Sequence, residues 1–549
     1  MTAPSPGANS PRDAGLDRWP CVALLLLSSV AFFHLTALPA FEDEGSQLRW
    51  IWRALEAGEW WLPLGEGKPL ECWPMVPLIA LGLPQLVAVR GVHVLAGMIG
   101  SVLIYRLALQ VLDDPPDRAS MPGSRSATQR GAALACGVIF AMCPFVVYLQ
   151  RLALSDMLLC TAGIWVLTAV LGLLRAPTWS RSAAAATSLV IAALCKLPVG
   201  FIFILAMPLA LVLMPVAARA GLARRPTVSR LLAANVPVGL LALLVCGIAF
   251  WQWRDGRAAW FGIEDLRGIG LGRYASIGAG LGGARPQLLV ELTTQLSWPV
   301  VIVGSIGLAV SAWRGDWRQR WLLVMGLAPM LWIGFFTAYW YPRYLLFTLP
   351  PLIVCSACGW RKIGADLKPY GPSLTRSALA LSVGFMGWQS ARLVFDPLSA
   401  RWSPLDRVQY IEGGGSGFGY PDTARFIVTA TRPPAGIFAL DGHSAYQLRI
   451  YLPPSWRGRV RPILYAIDGH VLSTEEARYD NLPVDVPVWF VIARPLLPRY
   501  LVSSFGARAS LLQLRQIAAF DKPGSKVQLA IYEARRSSRI SAADAADGT

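Results

Sequence analysis

Four stretches of the chain place ionisable residues where apolar runs end. Phe41–Gly45 carries Glu42, Asp43 and Glu44 in succession just past the first apolar run. Carboxylates this close repel one another. Such a carboxylate can take the proton of a hydroxyl as a general base. The plain alternative is a solvated cap on a helix end. Arg151–Asp156 lies between two apolar runs. A charge beside a span is costly and usually paired, so Asp156 could orient a basic group such as Lys68 or Arg151. Lys196, in Lys196-Leu197-Pro198, has no acid near it in sequence and calls for an anionic partner. Arg343 sits among Tyr339, Trp340, Tyr341 and Tyr344. Those rings fit an interfacial aromatic belt; the sharper reading is a guanidinium that holds a phosphate with two hydrogen bonds.

The elements that must position these residues are membrane helices. Of 549 residues, 54% are hydrophobic and only 15% charged, with a mean hydropathy of +0.47. Soluble domains carry about 25% charge, so a soluble enzyme, a disordered chain and a disulfide scaffold are excluded. Apolar runs fall at 20–39, 89–112, 130–149, 153–174, 183–197, 199–217, 231–252, 288–311, 320–339, 343–360 and 376–394. At about 20 residues per span these predict an α-helical polytopic membrane protein with about eleven transmembrane helices. Ala37–Ala40 is similar to a signal-peptidase site, yet the first run is long and ten others follow, so it reads as an uncleaved anchor.

The net charge of +17 and pI of about 9.8 come from cations scattered between the runs. With a cytoplasmic N-terminus, every inside segment holds at least two cations, as in Arg219, Arg224, Arg225 and Arg230. Outside segments are acidic or nearly neutral, except for 253–287 with its five arginines. This bias follows the positive-inside rule and leaves the C-terminal 150 residues outside. The expected organisation is a cytoplasmic tail at 1–19, a membrane domain at 20–396 with its first outside loop at 41–88, an extracytoplasmic domain at 397–536 and a disordered tail at 537–549. Within the first loop, Ser46–Leu55 reads as an interfacial amphipathic helix and Trp73–Leu86 as a proline-broken second one.

The C-terminal domain is expected to be a small α/β fold. Strand-like runs are Gly436–Leu440, Val460–Ile467, Val486–Ala493 and Val527–Tyr532. Helix-like runs follow Pro421-Asp422 and cover His443–Tyr451 and Ala509–Phe520. Glu412–Tyr420 is glycine-rich, but no strand precedes it and it lacks the lysine of a nucleotide loop. The four histidines lack metal spacing, and Cys355-x-x-Cys358 lies inside an apolar run, so it reads as packing.

Asp43, Asp156, Lys196 and Arg343 thus come from four distant stretches, and a topology derived from other charges places all four on one face. An acid with cations at a lipid–water boundary suits a polyprenyl-phosphate substrate.

The same residues carry a family likeness. Asp43-Glu44 after the first span resembles the first-loop motif of the GT-C membrane glycosyltransferases. Lys68-Pro69, Arg90, Arg151–Asp156, Lys196-x-Pro198, Pro342-Arg343-Tyr344 and the segment from Gln409 to Gly419 agree in order and side. The likeness covers about residues 20–450 and is nearest to the branch of bacterial protein O-mannosyltransferase-like proteins and the lipid A aminoarabinose transferase. It implies a GT-C type fold in the cell (inner) membrane and transfer of a sugar, a hexose or pentose, from a polyprenyl-phosphate carrier. The acceptor would be a lipid, glycan or protein hydroxyl on the extracytoplasmic face, and the reaction would invert the anomeric centre. Asp43 maps to the proposed catalytic carboxylate, Glu44 to its motif neighbour and Asp156 to a second acidic position. Lys68, Lys196, Arg343 and Tyr344 map to positions around the carrier phosphate. No cofactor is required by this reading, the metal dependence stays open, and nucleic acid is not a partner. Two rivals remain: a lipid or sugar flippase without transferase activity, and a non-catalytic binding protein of the same fold. A transporter would place charges near the midplane on repeated halves, and neither feature is seen in the sequence.

Overall fold

The computed structural model describes residues 18–60, 63, 67–112, 127–197, 199–216, 225–254, 288–336, 341–431, 434, 436–467, 470–473, 487–494 and 512–536. Most of both expected tails, Pro198, and nearly all of the arginine-rich loop 253–287 lie outside the described residues. The chain divides into two compact units, one of 1–35, 61–74 and 90–401, the other of 36–60, 75–89 and 402–549.

The first unit is helical. Among the described residues, Gln85–Leu112, Ser155–Arg175 and Pro342–Asp366 are long and apolar enough to cross a membrane. The pair Leu288–Leu296 and Trp298–Arg314, bent by 109°, adds a fourth if it is one span. Arg18–Phe32, Ala127–Met142, Trp179–Cys195 and Val199–Leu213 are apolar but shorter. Length and composition therefore do not establish the count of eleven. One reason is visible in the run 130–149: Pro144 cannot supply the amide that would continue the Ala127–Met142 helix, so the chain breaks at Cys143 and restarts as Pro144–Leu149. Trp313 is 85% exposed and Leu243 70%, in apolar helices that suit a lipid surround.

Local signals fix the helices that matter for the site. Ser155–Arg175 begins after extended Leu154 and has Asp156 in its first turn and Arg175 in its last, each sign matched to the helix dipole. Trp179–Cys195 is capped by the Thr178 hydroxyl, which accepts the Arg181 N–H at 3.4 Å. It stops at Cys195, and a 3-10 helix, Val199–Leu205, follows. A second 3-10 helix, Pro342–Thr348, carries Arg343 and Tyr344 and packs on Ser155–Arg175.

Among the described residues, the second unit contains a six-stranded mixed sheet. Its strands are β1 (Ile437–Asp441), β2 (Val460–Ile467), β3 (His470–Ser473), β4 (Val488–Arg494), β5 (Leu512–Asp521) and β6 (Gln528–Arg536), in the order β3-β2-β1-β4-β6-β5. β1 pairs in parallel with β2 and β4, and the other pairings are antiparallel. A parallel pair needs a crossover, here made by the helices Gly442–Tyr451 and Pro454–Arg457 between β1 and β2. Ile437, Ala439, Val491 and Ile531 bury against Tyr420, Ala424 and Ile427 of the helix Tyr420–Thr429.

One element differs from the sequence reading. Residues 509–520 were expected to be helical, whereas Leu512–Asp521 is β5, paired with β6 along its length. A register shift between Gln516 and Ala518 interrupts the alternation. That bulge places Leu514, Ile517 and Ala518 at helix-like spacing, so the period alone misleads.

Candidate active site

In the first unit, three helix ends bring a carboxylate and two cations together. Asp156, at the start of Ser155–Arg175, is buried. Its Oδ1 accepts from Lys196 Nζ at 2.7 Å. Its Oδ2 lies 3.9 Å from Arg343 Nε. Lys196 is the residue that ends Trp179–Cys195, where a cation is favoured by the dipole. Its ammonium also sits 4.5 Å from the Tyr344 ring centroid. The Arg343 guanidinium lies 4.8 Å from the Tyr341 ring and 5.7 Å from that of Tyr344. Side chains of Lys196 and Arg343 keep 14% and 11% exposure.

Lys68 approaches this group through its loop. Gly67 O accepts the Leu197 N–H at 2.7 Å, which joins the segment before Lys68 to the residue after Lys196. Gly67 has φ +69°, and a Cβ there would stand 3.0 Å from Leu197 O, so the junction needs glycine. Lys68 Nζ lies 3.8 Å from Glu71 Oε2. Glu71 is almost fully buried and its Oε1 accepts the Ser155 N–H at 2.5 Å. Burial, with Asp156 adding repulsion, pushes the Glu71 carboxyl up to about 7 against the pull of Lys68 and Lys196.

The sequence reading missed Glu71, although its i,i+3 spacing from Lys68 was a usable signal. Two pairings also need correction. Lys196 has an acidic partner within the protein, Asp156, forty positions away in sequence. Arg151 spends its guanidinium on backbone: it donates to Leu393 O at 2.5 Å, His34 O at 2.6 Å and Phe33 O at 3.1 Å. Buried Arg90 donates to Leu35 O at 2.7 Å. These two arginines hold the chain as it leaves the first helix.

In the second unit, the helix Glu42–Ala57 carries Glu42, Asp43 and Glu44 in its first turn and ends at Gly58 in the left-handed region. Acids at this end are favoured by the dipole. Glu44 is fully buried, and its carboxylate accepts the Phe41 N–H at 2.8 Å. That contact caps the helix. Asp43 is half-buried. The helix expected at Ser46–Leu55 lies within Glu42–Ala57, but Leu48, Ile51 and Trp52 are buried inside the protein, where an interfacial helix would give them to lipid. Among the described residues, no three His, Cys, Asp or Glu side chains gather as a metal set.

Comparisons with known proteins add the fold. No family model matches the chain, and no curated protein matches it in sequence. Solved structures do. The crystal structure of ArnT from Cupriavidus metallidurans bound to undecaprenyl phosphate superposes with a TM-score of 0.56 at 14% identity, over 94% of this chain and 98% of that one. Its apo form gives 0.54 at 15% identity, over 95% and 98%. The Archaeoglobus fulgidus oligosaccharyltransferase tethered to an acceptor peptide gives 0.51 at 10% identity, over 93% of this chain and 74% of that one. The chain therefore shares the fold of these two proteins, ArnT and the archaeal oligosaccharyltransferase.

Proposed function

We propose that the chain transfers a hexosyl or pentosyl group from a polyprenyl-phosphate carrier to a hydroxyl of a lipid, glycan or protein acceptor, with inversion. The observation that supports this most is the cation pair on Asp156. Lys196 and Arg343 are held at a helix junction by one carboxylate, so two cations are gathered where one phosphodiester could meet them. The fold it shares with an undecaprenyl-phosphate-bound protein supports the same reading.

In the proposed reaction Asp43 takes the proton of the acceptor hydroxyl as the new C1–O bond forms. The bond between C1 and the carrier oxygen breaks on the opposite face, and its electron pair leaves with the phosphate. Lys196, Arg343 and Lys68 stabilise the charge that develops there. Tyr344 keeps Lys196 and Arg343 in register through its ring. Glu44 orients the first turn that carries Asp43. Asp156 is a positioning residue: it fixes both cations where the phosphate departs, so they need no reorganisation during the reaction. The topology in this reading is eleven spans in the cell (inner) membrane, N-terminus inside and C-terminal domain outside.

The test is reconstitution into vesicles with a panel of undecaprenyl-phosphate-linked hexoses and pentoses. Release of free carrier supports transfer. Movement of the donor between leaflets with no carrier release would identify a flippase instead.

A further inference from the structure

We propose that Lys522 and the Gly413–Gly417 turn form a clamp that positions the first turn of Glu42–Ala57, and with it Asp43. This rests on the reading of Asp43 as the base. It gives the C-terminal sheet a part in the reaction, as the support of the catalytic carboxylate.

The turn touches the acidic helix start at several points. The Glu42 N–H, one of the amides that a helix leaves without an internal partner, donates to Gly415 O at 3.1 Å. Gln447 Nε2 bridges Gly415 O and Ala40 O, each at 2.9 Å. The Ala40 N–H donates to the Tyr451 hydroxyl at 2.5 Å. The Phe41 ring lies 4.7 Å from that of Tyr410. Approach is too close for side chains on the turn. A Cβ on Gly417 would stand 2.3 Å from Ala40 O, and one on Gly415 the same distance from a Glu42 carboxylate oxygen. Gly415 and Gly417 of the run that failed as a nucleotide loop are thus explained by what they pack against, whereas a Cβ on Gly414 would meet nothing.

Lys522 holds the turn from its other side. It follows directly on β5, and only 1% of it is exposed. Its Nζ donates to Ser416 O at 2.8 Å, Gly413 O at 2.9 Å, and Gly414 O and Ser416 Oγ at 3.1 Å. An ammonium has three N–H groups, so four acceptors share them. Burying a charge is costly unless its donors are all used, and here they are spent on one short stretch of backbone. Burial lowers Lys522 to about 8, while Glu42 favours its charged form. A methionine would fill the space without the field or the hydrogen bonds.

The test uses the full chain with Lys522→Met and, separately, Gly417→Ala, which pushes the turn off Ala40 without touching the lysine. Hydrogen exchange at the amides of Glu42–Gly45 should quicken in both, with exchange in β4 and β6 unchanged. With the mannosyl, glucosyl and galactosyl undecaprenyl phosphates as donors, kcat should fall about 10²-fold, the scale of a misplacement near 1 Å. The donor KM should stay within about twofold, since the phosphate-binding cations lie elsewhere in the chain. Adding Asp43→Asn to Lys522→Met should cost no more than Asp43→Asn alone. Unchanged exchange at Glu42–Gly45 in both variants would overturn the clamp, whatever the activity. Faster exchange with full kcat would also overturn it, reducing the contact to plain stability. If Asp43→Asn itself keeps full activity, the reading of Asp43 as base fails, while the exchange result still decides the clamp.

Discussion

Replacing Lys196 with alanine removes one of two cations on Asp156. In the intact site Lys196 and Arg343 stand as two cations on one carboxylate, that of Asp156. In Lys196→Ala the Asp156 carboxylate keeps Arg343, at 3.9 Å from its Oδ2, and loses the nearer ammonium. Two unit charges 4 Å apart interact by about 4 kcal/mol at an effective dielectric constant of 20, and Asp156 already competes for the ammonium. A hydrogen bond to a charged group, worth about 1.5–3 kcal/mol net, is the better measure. The expected loss of affinity for undecaprenyl phosphate is therefore about 10- to 150-fold at roughly 1.4 kcal/mol per decade. The assay is titration of the detergent-solubilised protein with undecaprenyl phosphate. Asp156→Asn is the informative partner, because it releases Lys196 and Arg343. It should retain or raise the affinity, while breaking a buried pair costs stability, about 3–5 kcal/mol at the upper limit. Affinity that is unchanged in both Lys196→Ala and Arg343→Ala would refute the reasoning, leaving these cations as partners of Asp156 alone.

Other outcomes follow from the same geometry. Because Glu71 is held near 7 in the folded protein, the native state binds more protons than the unfolded one between its ordinary value of 4.5 and about 7. Stability should therefore fall as pH rises through that window, by up to about 3 kcal/mol, and be flat above it; thermal melts of Glu71→Gln should lack the slope. Gly67→Ala, at φ +69°, should cost about 1–2 kcal/mol of stability and weaken carrier binding by moving Lys68, while Gly172→Ala, where a Cβ meets nothing, should do neither. Arg343→Lys should recover only part of what Arg343→Ala loses, since an ammonium lacks the guanidinium fork, as read by the same titration. Single cysteines placed at 450 and 225 should label from opposite faces of the membrane; labelling of both from one face would reject the topology.

What was legible in the sequence, and what was not, divides along physical lines. Lys196, Arg343 and Asp156 were conspicuous because a charge at the end of an apolar run needs a reason. Their pairing was not legible, since it depends on which helix ends meet. Arg151 stood out in sequence as a partner for nearby Asp156, yet backbone carbonyls at Phe33, His34 and Leu393 absorb its guanidinium. Glu71 was hidden among the seven acids of the first loop, because burial and not residue type sets it apart. In the sheet, β1, β2, β4 and β6 show clean apolar runs and were read correctly. β5 was misread because its bulge at Gln516 breaks the two-residue period. The short β3 pairs with β2 through backbone, which four residues of sequence cannot announce.

The central claim is sugar transfer from a polyprenyl-phosphate carrier with Asp43 as base. Its most direct test is the initial rate of undecaprenyl phosphate release from the linked-sugar panel, measured side by side for the wild type and Asp43→Asn at equal occupancy of donor. The account expects release by the wild type with at least one donor and a rate lower by about 10²–10⁴-fold in Asp43→Asn. Equal rates in the two proteins, or no release by the wild type with any donor and acceptor fraction, would contradict it.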